Sequence, residues 1–210
     1  MKKKPVQEQG FWDDFAEKYD PFMEKHAGAY KQLTGDIRSE LKAGDHVLEL
    51  ATGTGLISLA IHECVKKITA IDFSSRMIQL ANDKKNTRGI KNLDFQVGDI
   101  YDLHFEAHTF DVIIAANILH LLSSPEKAFT EMTRMLKNDG KLILPTYCHG
   151  ENLKSQLISR IMALAGFRAR NRWSIKNYKR FIEGQGFSIT GGKRYPGKIP
   201  LYNVIARKEL

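Results

Sequence analysis

A glycine-rich turn follows a short apolar run at residues 47–55, Val-Leu-Glu-Leu-Ala-Thr-Gly-Thr-Gly. The apolar spacing after Gly55 is that of a helix, so the stretch predicts a buried strand, a tight loop and a helix. Glycine at 53 and 55 allows left-handed backbone conformations and a close approach of the backbone to a ligand. The N-terminus of the following helix adds unpaired N–H groups. The turn therefore predicts a pocket of nucleotide size.

Acidic residues follow each of the first three predicted strands. Glu49 ends the first apolar run, Asp72 ends the second and Asp99 follows the third. An acid at the end of the second strand is placed to accept ribose hydroxyl groups. Three carboxylates favour a cationic or hydroxyl-rich ligand over a phosphate. The Gly-x-Gly-x-x-Gly pattern of dinucleotide-binding proteins is also incomplete, since Ser58 stands at the third glycine.

The pattern alternates between strand and helix along most of the chain. Strands are predicted near 46–51, 67–72, 92–97, 110–116 and 139–146, and helices near 55–64, 75–85 and 125–137. Such βαβ units predict an α/β fold, with a doubly wound, mostly parallel seven-stranded sheet and helices on both faces. The last two strands, 187–190 and 201–206, predict an antiparallel end, whereas an NAD-type fold would continue with parallel units. We expect one domain over residues 1–210.

Two segments outside the βαβ units carry apolar helical patterns. Residues 1–40 have aromatic side chains at steps of three and four, interrupted at Asp20-Pro21, and predict two short amphipathic helices. Residues 147–184 predict a helical cap segment. The N-terminal segment either packs against the domain or forms a lid over the ligand, and the two roles are compatible.

These residues resemble the class I, Rossmann-like S-adenosylmethionine-dependent methyltransferases, in particular the small-molecule branch of ubiquinone, menaquinone and phospholipid methyltransferases. The resemblance extends from about Phe11 to Lys208. It implies S-adenosylmethionine as cofactor and S-adenosylhomocysteine as product. In the family, the glycine loop holds the methionine part, the acid after strand two holds the ribose, and the acid after strand three binds the adenine amino group.

The resemblance implies a set of cofactor-binding residues in this chain. They are Tyr19, Glu49, Ala51, Thr52, Gly53, Gly55, Asp72, Phe73, Met77, Asp99, Ile100 and Asn117. One position departs from the family pattern, because Ala51 stands where the first glycine is expected. Alanine fits there if its φ angle is negative.

Methyl transfer from a sulfonium is an in-line displacement, so the protein chiefly aligns the reactants and excludes water. If the acceptor must lose a proton, the candidate bases are His120, Tyr147 and His149. A structural role in the pocket wall is the competing interpretation for His120. No third ligand accompanies Cys148 and His149 at metal spacing, so no metal site is predicted.

A small-molecule methyltransferase is the favoured function. The alternatives are a nucleic-acid (RNA) methyltransferase that uses the basic 160–180 segment, a cofactor-binding protein without activity, and an NAD-dependent oxidoreductase. The RNA alternative is less favoured because the chain has no separate binding domain and no Asn/Asp-Pro-Pro-aromatic tetrapeptide.

Composition limits the setting in which the protein works. Lys and Arg number 32 against 24 Asp and Glu, a formal net charge of +8, which is compatible with weak contact with anionic membranes or with a solvated basic surface. No apolar stretch is long enough for a transmembrane helix. Two isolated cysteines fit a reducing cytoplasm. The sequence carries no signal for an oligomeric state.

Overall fold

The computed structural model describes residues 5–25, 27–164 and 167–209. They form two compact units that divide between Leu103 and His104. The first unit contains α1 (Pro5–Glu24), α2 (Ala27–Ser39), β1 (His46–Leu50), α3 (Ser58–Ile61), β2 (Lys67–Asp72), α4 (Ser75–Thr87) and β3 (Leu93–Val97).

The strands of the first unit are parallel and lie in the order β3-β2-β1. Glu49 of β1 pairs with Ala70 of β2, and Asp72 at the end of β2 pairs with Val97 of β3. This register brings the carboxyl ends of the three strands to one edge. Strands β1 and β2 are almost continuously buried, as expected for parallel strands covered on both faces.

The second unit contains β4 (Phe110–Ala115), α5 (Pro125–Met135), β5 (Leu136–Ile143), β6 (Thr146–Tyr147), α6 (Leu153–Leu164), α7 (Ile175–Glu183), β7 (Phe187–Tyr195) and β8 (Leu201–Lys208). Strands β4 and β5 are parallel, and β8 runs antiparallel to β5, β6 and β7. The predicted α/β class with an antiparallel last strand is confirmed. The described residues contain eight strands rather than seven, because the two-residue β6 also pairs with β8.

Two predicted boundaries are wrong for local reasons. The helix expected at 55–64 is shorter and begins later, as α3. Gly55 has a φ of 79° and cannot belong to an α-helix, and residues His62–Cys64 after α3 form a short 3-10 turn. The helix expected at 125–137 ends at Met135, and β5 begins at once. Leu136 there pairs with Phe110, so strand pairing begins before the predicted end of the helix.

The helix break predicted at Asp20-Pro21 is also wrong, since α1 continues through Pro21 to Glu24. Pro21 lacks a backbone N–H and so removes one hydrogen bond of the helix. Because Pro21 lies three residues from the end of α1, few helical hydrogen bonds follow the gap. Aromatic contacts support this last stretch: the rings of Phe15 and Phe22 lie 5.7 Å apart in an edge-on arrangement. The break comes just before α2, next to His26, a member of the aromatic pattern that lies outside the described residues.

Candidate functional site

The glycine loop holds three residues in the left-handed region. The φ angles are 54° at Ala51, 57° at Gly53 and 79° at Gly55. The condition under which alanine fits, a negative φ, is therefore not met at Ala51, and the loop places an alanine where a glycine is favoured. At Gly55 an added Cβ would lie 2.8 Å from Cε1 of Phe95, so a side chain is excluded by packing as well as by conformation.

Tyr19 of α1 lies over this loop. A Cβ built on Gly53 would be 3.5 Å from the tyrosine ring, which is an ordinary van der Waals distance. The ring of Tyr19 is half-buried and also contacts Trp12 and Phe15 edge-on. The ring of Tyr19 is thus close to the glycine loop, and its contact with a cofactor stays a prediction.

Glu49 is buried beneath the loop and accepts hydrogen bonds on one carboxylate oxygen. Its Oε2 accepts from Thr52 Oγ1 at 2.8 Å, from the backbone N–H of Ser58 at 3.1 Å and from the Ser58 hydroxyl. Burial raises the pKa of Glu49 to about 7, although these bonds oppose the shift. The sequence treated Ser58 only as a missing glycine, whereas the structure makes it a partner of Glu49.

Asp72 connects the loop to the start of α4. Its Oδ2 accepts the N–H of Gly53 at 2.8 Å and its Oδ1 accepts the N–H of Ser74 at 2.9 Å. Burial raises the pKa of Asp72 to about 6, and nearby Asp13 adds to the effect. The next residue along, Phe73, is half-buried.

Ser74 begins α4 as a capping residue. Its hydroxyl accepts the N–H of Met77 at 3.1 Å, and Met77 itself is buried. The Ser74 hydroxyl also donates to the carboxylate of Asp13 on α1. On the same face of α1, Glu17 forms an ion pair with Arg76. Helix α1 is therefore attached to the first turn of α4.

Asp20, one turn further along α1, attaches the helix to the glycine loop. Its carboxylate accepts from the Thr54 hydroxyl and from Lys84 Nζ, the latter at 2.7 Å. Acids at 13, 17 and 20 are spaced four and three residues apart, which places them on one helix face. These three acids are not among the predicted site residues, although their spacing in the sequence indicates that they share a helix face.

Asp99 and Ile100 follow β3 in the same unit. Asp99 is exposed, and its Oδ1 accepts the N–H of Tyr101 at 2.9 Å. Ile100 is half-buried beside it. An adenine-binding role at Asp99 stays a prediction.

The residues of the first unit suit S-adenosylmethionine. A carboxylate offers about four lone-pair sites, and Asp72 uses one on each oxygen for the bonds to Gly53 and Ser74. The remaining sites can accept hydroxyl donors. Asp72, with a pKa of about 6, is mostly ionised at neutral pH, and its negative charge also complements a cationic sulfonium.

The three candidate bases lie together in the second unit. The ring centroids of His120 and His149 are 5.0 Å apart, and Tyr147 lies 6.2 Å from His120 and 6.4 Å from His149. His120 Nδ1 is 3.0 Å from the hydroxyl of Thr146, a partner that the sequence analysis did not identify. The fold thus gathers residues that are up to 29 positions apart in the sequence.

Both imidazoles of this cluster are neutral at physiological pH. Burial holds the pKa of His120 well below its ordinary value. Burial and the charge of Arg172 lower the pKa of His149 to about 4. Both ring nitrogens of His149 are buried, and neither has a hydrogen-bond partner among the residues that the structure describes. A neutral imidazole of this kind has one N–H and one lone pair available for a ligand.

Asn117 is the one predicted cofactor residue that lies in the second unit. It has a φ of 56° just after β4, and its N–H donates to Pro145 O at 2.8 Å. The turn that follows is held from a distant segment: Asn171 Nδ2 donates to Leu122 O at 2.8 Å, and the Asn171 N–H donates to His120 O at 3.0 Å. No sequence pattern predicts the hydrogen bonds from Asn171 to this turn.

Comparison with known proteins decides the family. The methyltransferase domain matches residues 41–186, which is more than half of the chain. This chain belongs to the methyltransferase domain family. The match includes the glycine loop of the first unit and the histidine cluster of the second. It leaves α1 and α2 outside, so the role of α1 rests on its contacts with α4 and with the glycine loop.

Individual relatives agree with the family. A demethylmenaquinone methyltransferase of Renibacterium salmoninarum is 28% identical over 71% of this chain and 62% of its own length. A phosphatidylethanolamine N-methyltransferase of Cereibacter sphaeroides is 30% identical over 62% of this chain and 63% of its own. The chain thus spans about three-fifths of the length of these two relatives.

A solved structure shows the same fold. The YcgJ protein of Bacillus subtilis superposes with a TM-score of 0.72 at 18% identity, over 85% of this chain and 99% of that protein. At this identity the likeness concerns the fold. It confirms that the α/β class predicted from the strand and helix pattern is the class of this methyltransferase domain.

Proposed function

We propose that the protein is an S-adenosylmethionine-dependent methyltransferase that acts on a small-molecule acceptor by in-line displacement. The observation that carries the proposal is the position of Asp72, whose carboxylate links Gly53 in the glycine loop to Ser74 at the start of α4. Bound S-adenosylmethionine supplies an electrophilic methyl group on a sulfonium. Asp72 would hold its ribose, and the loop from Glu49 to Gly55 its methionine part.

The remaining residues of the first unit have supporting roles in this proposal. Tyr19, which lies over Gly53, would contact the cationic part of the cofactor through its ring face. Asp99 and Ile100 would bind the adenine. Asp13 and Asp20 hold α1 onto α4 and onto the loop, so the helix would act as a lid that excludes water when it is in place.

The second unit contains the three candidate bases. His149 is neutral and buried, and its ring nitrogens have no partner among the described residues. It is therefore a better candidate than His120, whose Nδ1 is engaged by Thr146. His149 would accept the proton of the acceptor when one must leave, and Tyr147 lies beside it as a further polar group.

The names of the relatives support the acceptor class. One is named a demethylmenaquinone methyltransferase and another a phosphatidylethanolamine N-methyltransferase. The mixture of aromatic and imidazole side chains in the second unit suits an amphiphilic compound. We therefore favour a lipid-like small molecule over a nucleic acid as the acceptor.

Two measurements test the proposal. Calorimetry should show binding of S-adenosylhomocysteine and none of NAD, because three carboxylates oppose a pyrophosphate. Transfer of a labelled methyl group should then be measured with a demethylated menaquinol, with phosphatidylethanolamine and with RNA. Transfer to a lipid acceptor supports the proposal. Transfer to RNA would replace it with the nucleic-acid alternative, and binding without any transfer would indicate a protein that only binds the cofactor.

A further inference from the structure

Helix α6 presents its apolar side to solvent. Leu153, Leu157, Ile161 and Leu164 are 84%, 59%, 59% and 90% exposed, and we call these four residues the leucine stripe. The buried residues of the helix are Ser155 and Ser159. Surface helices of globular proteins normally have the opposite arrangement, with the apolar face toward the core.

The stripe is continuous along the helix. Its members are four, four and three residues apart, so they lie on one face, and the two buried serines fall on the opposite face. Among the residues that the structure describes, the helix therefore packs through Ser155 and Ser159, with Ile158 and Met162 half-buried, and leaves the four residues of the stripe uncovered. Contiguous apolar surface of this kind marks a site of interaction rather than ordinary exposure.

The charge around the stripe indicates what covers it. Residues 152–182 contain eight Lys and Arg and no Asp or Glu. The rest of the chain carries the remaining 24 Lys and Arg and all 24 Asp and Glu, so the whole formal charge of +8 arises from this one segment. An uncovered apolar stripe within a purely cationic segment is complementary to a surface that is both apolar and anionic.

Two cations lie on α6 itself and flank the stripe. Lys154 follows Leu153, and Arg160 precedes Ile161; both are exposed. Side chains of this length can lay their methylene groups along apolar material while the charged end reaches the headgroups. Amphipathic helices that lie in the plane of a membrane combine these features, with large apolar residues on one face and cations at its borders.

We infer that α6 binds in the surface of an anionic lipid bilayer, with the leucine stripe among the acyl chains and Lys154 and Arg160 among the phosphates. The helix has 12 residues, and no helix of the described chain is long and apolar enough to cross a membrane, so α6 lies along the surface. A second copy of the chain fits the stripe less well. A two-fold contact would bring together two segments that each carry eight Lys and Arg and no Asp or Glu.

The inference is tested with purified protein and no cofactor or acceptor, so its outcome is independent of the proposed methyl transfer. The protein is sedimented with vesicles of phosphatidylcholine alone and with vesicles of equal amounts of phosphatidylcholine and phosphatidylglycerol, at low and at high salt. We expect binding to the anionic vesicles at low salt, weaker binding at high salt, and little binding to phosphatidylcholine alone.

Two double variants separate the apolar and the ionic contributions. Leu157→Gln with Ile161→Gln should lower partitioning to anionic vesicles at least tenfold. Lys154→Gln with Arg160→Gln should lower it about fivefold per cation removed. The matched controls are Val97→Gln, at a valine of β3 that is 56% exposed, and Lys66→Gln with Lys67→Gln, an exposed pair in the first unit. The controls should bind as the native protein does.

Two results would overturn the inference: a native protein that does not sediment with anionic vesicles, and stripe variants that bind as well as the controls. A dimer that is present in analytical ultracentrifugation and lost in the stripe variants would assign the stripe to a second copy of the chain. Far-ultraviolet circular dichroism and thermal melting of each variant establish that a loss of binding is not a loss of folding.

Discussion

The carboxylate of Asp72 accepts the backbone N–H of Gly53 at 2.8 Å, across 19 residues of sequence. This hydrogen bond fixes the glycine loop to the carboxylate at the end of β2. Because the other oxygen of Asp72 accepts the N–H of Ser74, the same side chain also sets the start of α4. The geometry of the glycine loop and the start of α4 therefore depend on one buried acid.

Replacing Asp72 with asparagine should weaken binding of S-adenosylhomocysteine at least tenfold. The amide removes the negative charge and one acceptor oxygen, and hydrogen bonds to charged groups are worth about 1.5–3 kcal/mol each. Isothermal calorimetry measures the change. Asp83→Asn, at an exposed position of α4, is the control and should leave affinity unaltered. An unchanged dissociation constant in a folded Asp72→Asn protein would exclude the ribose-binding role.

Glu49→Gln should stabilise the ligand-free protein at pH 8 and make little difference at pH 4. Burial raises the folded pKa of Glu49 to about 7 from an ordinary value of 4.5, so the folded state holds the proton more tightly than the unfolded state. The stabilising contribution is complete below pH 4.5 and is lost as the pH rises through 7, by roughly 3 kcal/mol. Glutamine mimics the protonated form at every pH.

Denaturant unfolding of Glu49→Gln and native protein at the two pH values tests this. Glu106→Gln changes an exposed glutamate and should show no such pH dependence. A Glu49→Gln protein that is less stable than native at pH 8 would contradict the raised pKa.

The same variant should bind the cofactor more weakly, since it loses a carboxylate that complements the sulfonium.

Ala51→Gly should raise the free energy of unfolding by about 1 kcal/mol. The left-handed φ of 54° at Ala51 costs an L-residue about 1–2 kcal/mol, and the greater freedom of glycine in the unfolded chain returns part of the gain. The matched control is Ala60→Gly in α3, which should lose about 0.5–1 kcal/mol. Equal destabilisation by both substitutions would show that the loop does not strain the alanine.

Tyr19→Ala should weaken binding of S-adenosylmethionine, which carries the sulfonium, about two- to thirtyfold, the range of a cation–π contact of roughly 0.5–2 kcal/mol. Hydrogen exchange should also show residues 11–24 better protected with the ligand than without it. Lys18→Ala, an exposed neighbour on α1, should change neither quantity. Identical protection in the two states would mean that α1 is a permanently packed flank and not a lid.

The ring of His149 should titrate near pH 4 in nuclear magnetic resonance spectra. Burial, aided by Arg172, lowers its pKa to about 4 from 6.5, so the unfolded state binds the proton first as the pH falls. The stability that the neutral ring contributes is present above pH 6.5 and is lost as the pH falls toward 4. His149→Gln identifies the resonance. A midpoint near 6.5 would place the ring in water and remove it as a buried base.

The sequence was sufficient where short-range pattern controls the outcome. The strands that end at Leu50 and Asp72 follow from apolar runs, and the loop at Gly53 and Gly55 follows from the conformations that glycine permits. Parallel pairing then brings Glu49 and Asp72 to one edge. The α/β class and the acidic edge could therefore be predicted without coordinates, because each depends on neighbours in the chain.

Only the tertiary structure decided how these groups behave. The left-handed φ of Ala51, the pKa of Glu49 and the bond from Gly53 to Asp72 arise from burial and from partners far along the chain. The exposure of the apolar face of α6 was also decided by the tertiary structure. The spacing of apolar residues in the sequence shows that the helix has an apolar and a polar face, but it does not show which face is buried. Burial is a property of the packed molecule, and it sets charge, strain and exposure together.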